Sequence, residues 1–198
     1  VKPQGLLLHD DALYFRGGPA NDRELWRYDG VVAPQEALDI FAGTHSGPLG
    51  LTSFAGQLCF NGTTSAGAEL MCWDGQTAPT VFDIRPGPEG SSPEGLAARL
   101  GELYFAAYEP TAGNEPRVYS GVGQPTVFDV VPGAGSSGPT EFTAAGPDLY
   151  FIAAAAGLNW ATGSITFLRR HIRTINITGG VLMIATGIAM ISGAWTLL

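Results

Sequence analysis

The chain is poor in the residues on which most enzymes, metal sites and nucleic-acid-binding proteins depend. It has three histidines, two cysteines and only ten basic residues against 18 acidic ones, for a net charge of −8. An acidic protein lacks the basic surface that phosphate neutralisation requires, so we predict no nucleic-acid partner. The histidines are scattered, and no HExxH motif, Gly-x-Ser-x-Gly elbow or phosphate loop occurs. We predict no catalytic residue, no metal ligand and no cofactor, and hence a protein that is not an enzyme.

Acidic residues are also absent from the last part of the chain. All 18 lie between Asp10 and Asp148, and residues 1–151 also contain seven of the ten basic residues, so this part carries a net charge of −11, whereas three arginines give the tail +3. The contrast predicts a domain over residues 1–151 and a membrane segment over 152–198.

Two stretches of the tail contain no charged residue. The stretch 175–198 has 24 residues, and crossing a bilayer core of about 30 Å takes about 20. The stretch 152–168 has 17, the lower limit for a span. We predict a C-terminal transmembrane helix over 175–198 or a helical hairpin that uses both stretches. A buried core helix is the alternative for 175–198.

The basic residues between these stretches predict an orientation. Arg169, Arg170 and Arg173 place the turn of a hairpin on the cytoplasmic side, which puts the first domain outside the cytoplasm. A single span would instead leave that domain in the cytoplasm. Small residues at four-residue spacing would allow another transmembrane helix to pack closely. These helix-packing residues are Ala185, Ala189 and Gly193.

The first domain repeats one short pattern at a nearly constant interval. A Leu-Tyr-Phe-like strand recurs at spacings of 45, 45 and 46 residues. Its copies are Leu13-Tyr14-Phe15, Leu58-Cys59-Phe60, Leu103-Tyr104-Phe105 and Leu149-Tyr150-Phe151. Such a period predicts a repeat architecture. The units are 5–47, 48–92 and 93–138, with a partial unit over 139–151.

Each complete unit contains four short strand-like pieces separated by Gly, Pro, Asn and Asp. The fourth piece is Leu38–Phe41 in the first unit, Val81–Ile84 in the second and Val127–Val130 in the third. Four strands in about 45 residues are typical of a propeller blade, so we predict an all-β array, an incomplete β-propeller of three four-stranded blades plus a stub. An open β-solenoid is the alternative. Pro116 lacks an amide donor, which predicts an edge or poorly paired third strand in the third unit.

The repeat resembles a known bacterial family. Glu24-Leu25-Trp26-Arg27-Tyr28-Asp29-Gly30, with Leu13-Tyr14-Phe15 before it and the Pro-Gly-Ser-Ser linker of the next copy, is similar to the ELWxxDGT repeat proteins over residues 5–151. The resemblance implies a large extracytoplasmic, propeller-like array. The third unit departs from the pattern at Glu115-Pro116-Arg117 and Ser120-Gly121.

The tail resembles a different family. The segment 167–176, followed by Gly179-Gly180 and Ser192-Gly193-Ala194-Trp195, is similar to the last helices of CcdA-type cytochrome c biogenesis membrane proteins over residues 153–198. That family transfers reducing equivalents through intramembrane cysteines, and this tail has none. Both resemblances together suggest a truncated or chimeric gene product with its junction near Phe151.

Three sets of residues are candidates for chemistry. Cys59 and Cys72 lie opposite each other if Phe60 pairs with Met71, which allows a disulfide; two free, partly buried thiols are the alternative. A redox-active pair is disfavoured, because no CxxC motif or basic neighbour lowers a thiol pKa. One glutamate and one aspartate recur in every unit, either as a calcium-binding ring or as hydrogen-bond acceptors of strand ends and turns. These are Glu24, Glu69 and Glu115, and Asp39, Asp83 and Asp129.

The predicted function follows from these features. We expect a non-enzymatic, membrane-anchored, extracytoplasmic repeat module that binds or scaffolds an unknown extracellular ligand or protein. The alternative is a membrane component of cytochrome c biogenesis that carries out thiol-disulfide electron transfer.

Overall fold

The structure, a computed structural model, describes residues 3–145, 148–153 and 175–176. Within these ranges all regular structure is β-strand. The strands are β1 (Gln4–His9), β2 (Ala12–Gly17), β3 (Glu24–Tyr28), β4 (Gln35–Leu38), β5 (Leu49–Phe54), β6 (Gln57–Thr64), β7 (Gly67–Trp73), β8 (Thr80–Phe82), β9 (Glu94–Arg99), β10 (Glu102–Glu109), β11 (Gly113–Tyr119), β12 (Thr126–Val127), β13 (Thr140–Ala145), β14 (Asp148–Ile152) and β15 (Ile175–Asn176).

The strands form four sheets, each made of strands that are consecutive in the sequence. The first three sheets are four-stranded antiparallel meanders, with the orders β1-β2-β3-β4, β5-β6-β7-β8 and β9-β10-β11-β12. In the fourth sheet β13 and β14 are antiparallel, and β15 pairs with β14 in parallel. The predicted all-β class is therefore confirmed for the described residues.

The first hairpin of each complete sheet turns in two residues with positive φ. The φ angles are +44° and +58° at Asp10-Asp11, +49° and +74° at Ala55-Gly56, and +49° and +79° at Leu100-Gly101. Two successive positive φ angles define the type I′ turn, whose twist matches that of antiparallel strands. The turn therefore fixes the register of each hairpin.

Successive sheets pack face to face through three apolar clusters. The alternation of side chains along β6 shows how: Leu58 and Phe60 pack on the first sheet, and Cys59 between them packs on the third. This two-residue period is the geometry of a strand buried on both faces. The first strand of each sheet also contacts the first strand of the next, from β1 to β5 to β9 to β13.

The fourth strands differ from the sequence prediction. β4, β8 and β12 end at Leu38, Phe82 and Val127, so the residues predicted to continue them lie outside the strands. The reason is that a glutamate side chain competes with the neighbouring strand for the backbone N–H groups of these residues. The backbone N–H groups of Ile40, Ile84 and Val130 each donate to a glutamate side chain of the third strand, which draws the chain away from the ladder.

Of the two predictions for the strand that contains Pro116, an edge strand is wrong, and poor pairing is confirmed on one side of the strand. β11 pairs with β10 on one side and with β12 on the other. The missing donor has a smaller effect: β12 pairs with β11 only at Arg117 and Val118, and Pro116 takes part through its carbonyl, which accepts from the N–H of Phe128 at 2.7 Å.

Most of the predicted membrane segment lies outside the described residues. This applies to the basic turn with Arg169, Arg170 and Arg173 and to the small-residue face with Ala185, Ala189 and Gly193. Ile175–Asn176 is a strand, which corrects the predicted start of a helix at residue 175. Among the residues that are described, no helix is long and apolar enough to cross a membrane.

Candidate functional site

The recurring glutamates are the most prominent polar residues of the interior. Each lies in the third strand of its sheet and is almost fully buried, and Glu69 and Glu115 have no exposed surface at all. A buried carboxylate is costly unless hydrogen bonds replace its lost water. The surroundings of all three carboxylates supply such bonds in the same way.

Glu69 shows the arrangement in full. Its Oε1 accepts from the backbone N–H of Arg85 at 3.1 Å and of Ser91 at 2.9 Å. Its Oε2 accepts from the backbone N–H of Ile84 at 3.3 Å and from the hydroxyl of Ser91. The side chain therefore ties the third strand to the linker that follows the fourth strand.

The same bonds recur in the other two sheets. Glu24 accepts from the Ile40 N–H at 2.9 Å and from the Ser46 N–H and hydroxyl at 3.0 and 2.6 Å. Glu115 accepts from the Val130 N–H at 3.0 Å and from the Ser137 N–H and hydroxyl at 2.6 and 2.7 Å. The interpretation of these glutamates as structural acceptors is thereby confirmed.

The serine in each bond set was missed by sequence reasoning. Ser46, Ser91 and Ser137 are buried, and each follows its glutamate by 22 residues. That constant separation was the available signal. The serines also connect neighbouring sheets, because the carbonyl of Ser46 accepts from Thr63 of β6 and the carbonyl of Ser91 from Tyr108 of β10. We call each glutamate with its serine a Glu–Ser clamp.

Burial controls the acidity of two of these glutamates. Loss of solvent raises the pKa of Glu69 above its ordinary value of 4.5, and the hydrogen bonds from Ser91, Arg85 and Ile84 oppose the rise only in part. Burial likewise raises the pKa of Glu115. Both carboxylates therefore use their hydrogen-bond acceptor positions on donors within the fold, and none is directed at a ligand.

The recurring aspartates lie apart from the buried glutamates. Asp39, Asp83 and Asp129 are exposed, and Asp129 accepts from the Gly133 N–H at 3.3 Å. No group of three His, Cys, Asp or Glu side chains in the described part of the chain is arranged to hold a metal ion. The two sets of carboxylates are thus separate features of the repeat.

Two other aspartates organise turns after the third strand. Asp74 accepts from the N–H groups of Thr77 and Gln76 at 2.8 and 2.9 Å, and these bonds lower its pKa. Asp29 accepts from the N–H groups of Val31 and Val32, which lower its pKa as well. Both are turn residues whose side chain replaces a backbone acceptor.

The two cysteines lie opposite each other and are joined. Cys59 pairs with Cys72 in the ladder that also pairs Phe60 with Met71, the register expected from the sequence. A disulfide links them across a sequence separation of 13, and both side chains are buried in the cluster between the second and third sheets. Reagents in solution therefore have no direct access to the sulfur atoms of the folded protein.

The third sheet contains an ion pair that has no counterpart among the described residues of the other sheets. Arg117 is buried and its guanidinium lies 2.6 Å from the carboxylate of Glu109. The hydroxyl of Thr111 and then Arg117 lower the pKa of Glu109. Arg117 occupies the ladder position of Trp26 and Met71, so it places a charge where the other sheets have an apolar side chain.

A small polar cavity lies beside β4, at one edge of the first sheet. Its volume is about 140 Å³, and Arg27, Asp29 and Glu36 contribute its charges. Arg27 and Asp29 form an ion pair at 3.4 Å, while burial and then Asp39 raise the pKa of Glu36. Ligand pockets commonly enclose about 300 Å³ or more, so this cavity is suited to a few water molecules.

The geometry therefore presents structural carboxylates, turn aspartates, a buried disulfide and one buried ion pair. Comparison of the chain with protein-family models, with curated proteins and with solved structures finds no match.

Proposed function

We propose that the chain is a non-enzymatic, extracytoplasmic repeat module, anchored in a membrane by its tail, that binds or scaffolds another molecule through its exposed surface. The observation that carries the proposal is the Glu–Ser clamp. The glutamate and the serine that recur in every complete unit are buried and hydrogen-bonded within the framework. These recurring residues therefore stabilise the framework. Contacts with another molecule are made by the turns and the exposed strands.

We further propose that the four sheets are blades of an incomplete β-propeller. Support comes from the face-to-face packing of successive sheets and from the row of contacts between their first strands. First strands that follow one another around a common axis are the inner strands of such a fold.

The disulfide supports an extracytoplasmic location. Structural disulfides persist in oxidising compartments and are rare in the cytosol. The same bond weighs against the alternative function of thiol-disulfide electron transfer. Both cysteines of the chain are buried in this disulfide, and the tail has no cysteine of its own.

A labelling experiment tests location and anchoring together. Val122 is 82% exposed in the turn before β12, so Val122→Cys should react with a membrane-impermeant maleimide on intact spheroplasts. Ala106→Cys is the matched control, because the Ala106 side chain is buried and should react only after denaturation. The protein should also stay with the membranes after a carbonate wash. Labelling of residue 122 only after lysis, or release of the protein by carbonate, would refute the proposal.

A further inference from the structure

A serine, a histidine and an aspartate meet where the first two sheets join. His9 is the last residue of β1, and its Nδ1 lies 2.8 Å from the Oγ of Ser53 in β5 of the second sheet. On the other side of the ring, Nε2 lies 3.5 Å from the carboxylate of Asp10. A hydroxyl in contact with a base, and a base oriented by a third group, is the arrangement that activates a serine as a nucleophile.

The aspartate determines which ring nitrogen can act as the base. An ionised carboxylate only accepts hydrogen bonds, so the neutral imidazole beside Asp10 carries its proton on Nε2. The lone pair of Nδ1 is then directed at Ser53, whose hydroxyl donates to it. The two contacts of His9 therefore agree on one tautomer, and that tautomer can take a proton from Ser53.

The serine is open to solvent and the histidine is shielded. Ser53 is exposed, so a ligand can reach its Oγ. The side chain of His9 is only 10% exposed, and the ring of Tyr14 meets the imidazole edge-on with the ring centroids 5.9 Å apart. The imidazole is therefore held beside Ser53, where little water competes for Nδ1.

The repeat shows that the packing of the sheets does not need this contact. Phe54 and Ala98 hold the positions of His9 and Ser53 at the next interface, and neither side chain can form such a bond. The second and third sheets nevertheless pack on each other there. At the third interface Ala144 again replaces the serine. The hydroxyl and the imidazole are thus a departure from the repeat and not a part of its framework.

We propose that Ser53 is an activated nucleophile that takes an acyl group from an activated ester. Nδ1 of His9 removes the hydroxyl proton while Oγ forms a bond to the acyl carbon. The bond between that carbon and the leaving oxygen then breaks, and the leaving group receives the proton. The products are an acyl ester on Ser53 and a free alcohol, and no electrons are transferred.

This acylation is stoichiometric, because each chain has one such serine and the step consumes its hydroxyl. It is a covalent modification site on a non-enzymatic module. The inference goes beyond the proposed function and does not depend on the membrane anchor or on the binding role, since it rests only on the contacts of His9.

Acetylation of the full chain by p-nitrophenyl acetate tests the inference. Mass spectrometry of the digested protein measures how fast the hydroxyl of Ser53 gains an acetyl group. Ser65 is the matched control within the same chain, because it is an exposed serine of the same sheet, in the turn between β6 and β7. We expect Ser53 to react about 100-fold faster than Ser65, which is the contribution expected of a general base.

Substitutions separate the base from the residue that positions it. His9→Gln should slow the acetylation of Ser53 by about 100-fold. Asp10 is a positioning residue, so Asp10→Ala should slow the reaction several-fold. Asp10→Asn should restore most of the rate, because its Oδ1 can still accept from the Nε2–H of His9. Thermal unfolding followed by tryptophan fluorescence confirms that each variant is folded.

The outcomes distinguish this inference from the proposed function. Equal rates at Ser53 and Ser65, or an unchanged rate at Ser53 in His9→Gln, would overturn the inference. Release of nitrophenolate that continues beyond one equivalent and is lost in Ser53→Ala would overturn it together with the proposed non-enzymatic function. Correct membrane labelling without acetylation of Ser53 would leave the proposed function standing and remove this inference alone.

Discussion

Replacement of Glu69 is the most direct test of the Glu–Ser clamp. In Glu69→Gln the side-chain oxygen can keep the two N–H donors now bound by Oε1, those of Arg85 and Ser91. The new amide nitrogen then occupies the place of Oε2 and faces the N–H of Ile84, donor against donor. The hydroxyl of Ser91 can rotate and accept from the amide. Glu69→Ala removes every one of these acceptors and leaves a cavity.

The size of the effect follows from the number of donors that lose their partner. The N–H of Ile84 also donates to the carbonyl of Phe82 at 2.9 Å, so it is not left without an acceptor in the glutamine variant. One weakened bond to a charged group predicts a loss of about 1–3 kcal/mol in the free energy of unfolding for Glu69→Gln. Glu69→Ala leaves buried donors without an acceptor and also creates a cavity. We therefore expect it to lower the free energy of unfolding by about 3–5 kcal/mol.

The stability difference between the original chain and Glu69→Gln should also change with pH in a predicted direction, which gives a second test. Because burial raises the pKa of Glu69 above 4.5, the folded state binds a proton more readily than the unfolded state. The part of the stability that comes from protonation of Glu69 is therefore fully present below pH 4.5 and is lost as the pH rises through the folded pKa. The difference in unfolding free energy between the original chain and Glu69→Gln should shrink over that interval.

Urea unfolding of the full chain in a fixed detergent, followed by tryptophan fluorescence, measures these differences. Glu94→Gln is the matched control, because Glu94 is an exposed carboxylate in the first strand of the third sheet. Its replacement should change stability by less than about 0.5 kcal/mol. A difference between the original chain and Glu69→Gln that grows with rising pH would refute the desolvation argument. An Ala variant no less stable than the Gln variant would refute the clamp itself.

Three further predictions concern the turns and the disulfide. Gly67→Ala should destabilise the protein by about 3 kcal/mol or more, because Gly67 has a φ of +86° and an added Cβ would lie 2.3 Å from a backbone nitrogen of the linker. Gly75→Ala, with a φ of +82° and open space, should cost only about 1–2 kcal/mol in thermal unfolding, and equal losses would contradict this reasoning. Replacing Cys59 and Cys72 together by alanine should lower the unfolding free energy by about 3 kcal/mol in urea, the loss expected for a short loop; an unchanged midpoint would contradict it. Carboxyl NMR titration should give Asp74 a pKa below 3.8, so that its stabilising effect is lost only as the pH falls through that pKa; a value above 3.8 would show that the two N–H bonds do not form in solution.

The parts of the fold that depend on local signals could be predicted from the sequence. The repeated strand gave the unit length, and two-residue turns with positive φ fixed the first hairpins. The register that pairs Cys59 with Cys72 followed from alternation along two neighbouring strands, because a shift of one residue would turn Phe60 to the wrong face. In each case the partners are close in sequence.

The ends of the fourth strands could not be predicted in this way. Their aromatic and β-branched residues favour an extended strand, and only the glutamate of the third strand stops it. That glutamate lies 15 residues before Ile84, and its serine follows it by 22. A buried acceptor that binds backbone donors from two separate loops does not change the local alternation of residues by which a strand is predicted, and its only trace in the sequence is the constant separation of glutamate and serine.

The clamp also changes where a functional residue should be sought in a repeat protein. A polar residue that recurs in every unit with a partner at constant spacing supports the framework, as Glu69 and Ser91 do. Positions where the units differ are free of that constraint. One ladder position holds Arg27 in the first sheet, the disulfide-bonded Cys72 in the second and Val118 in the third. Under the proposed function, we expect specific interaction to depend on exposed departures from the repeat such as Arg27, because identical units present identical surfaces.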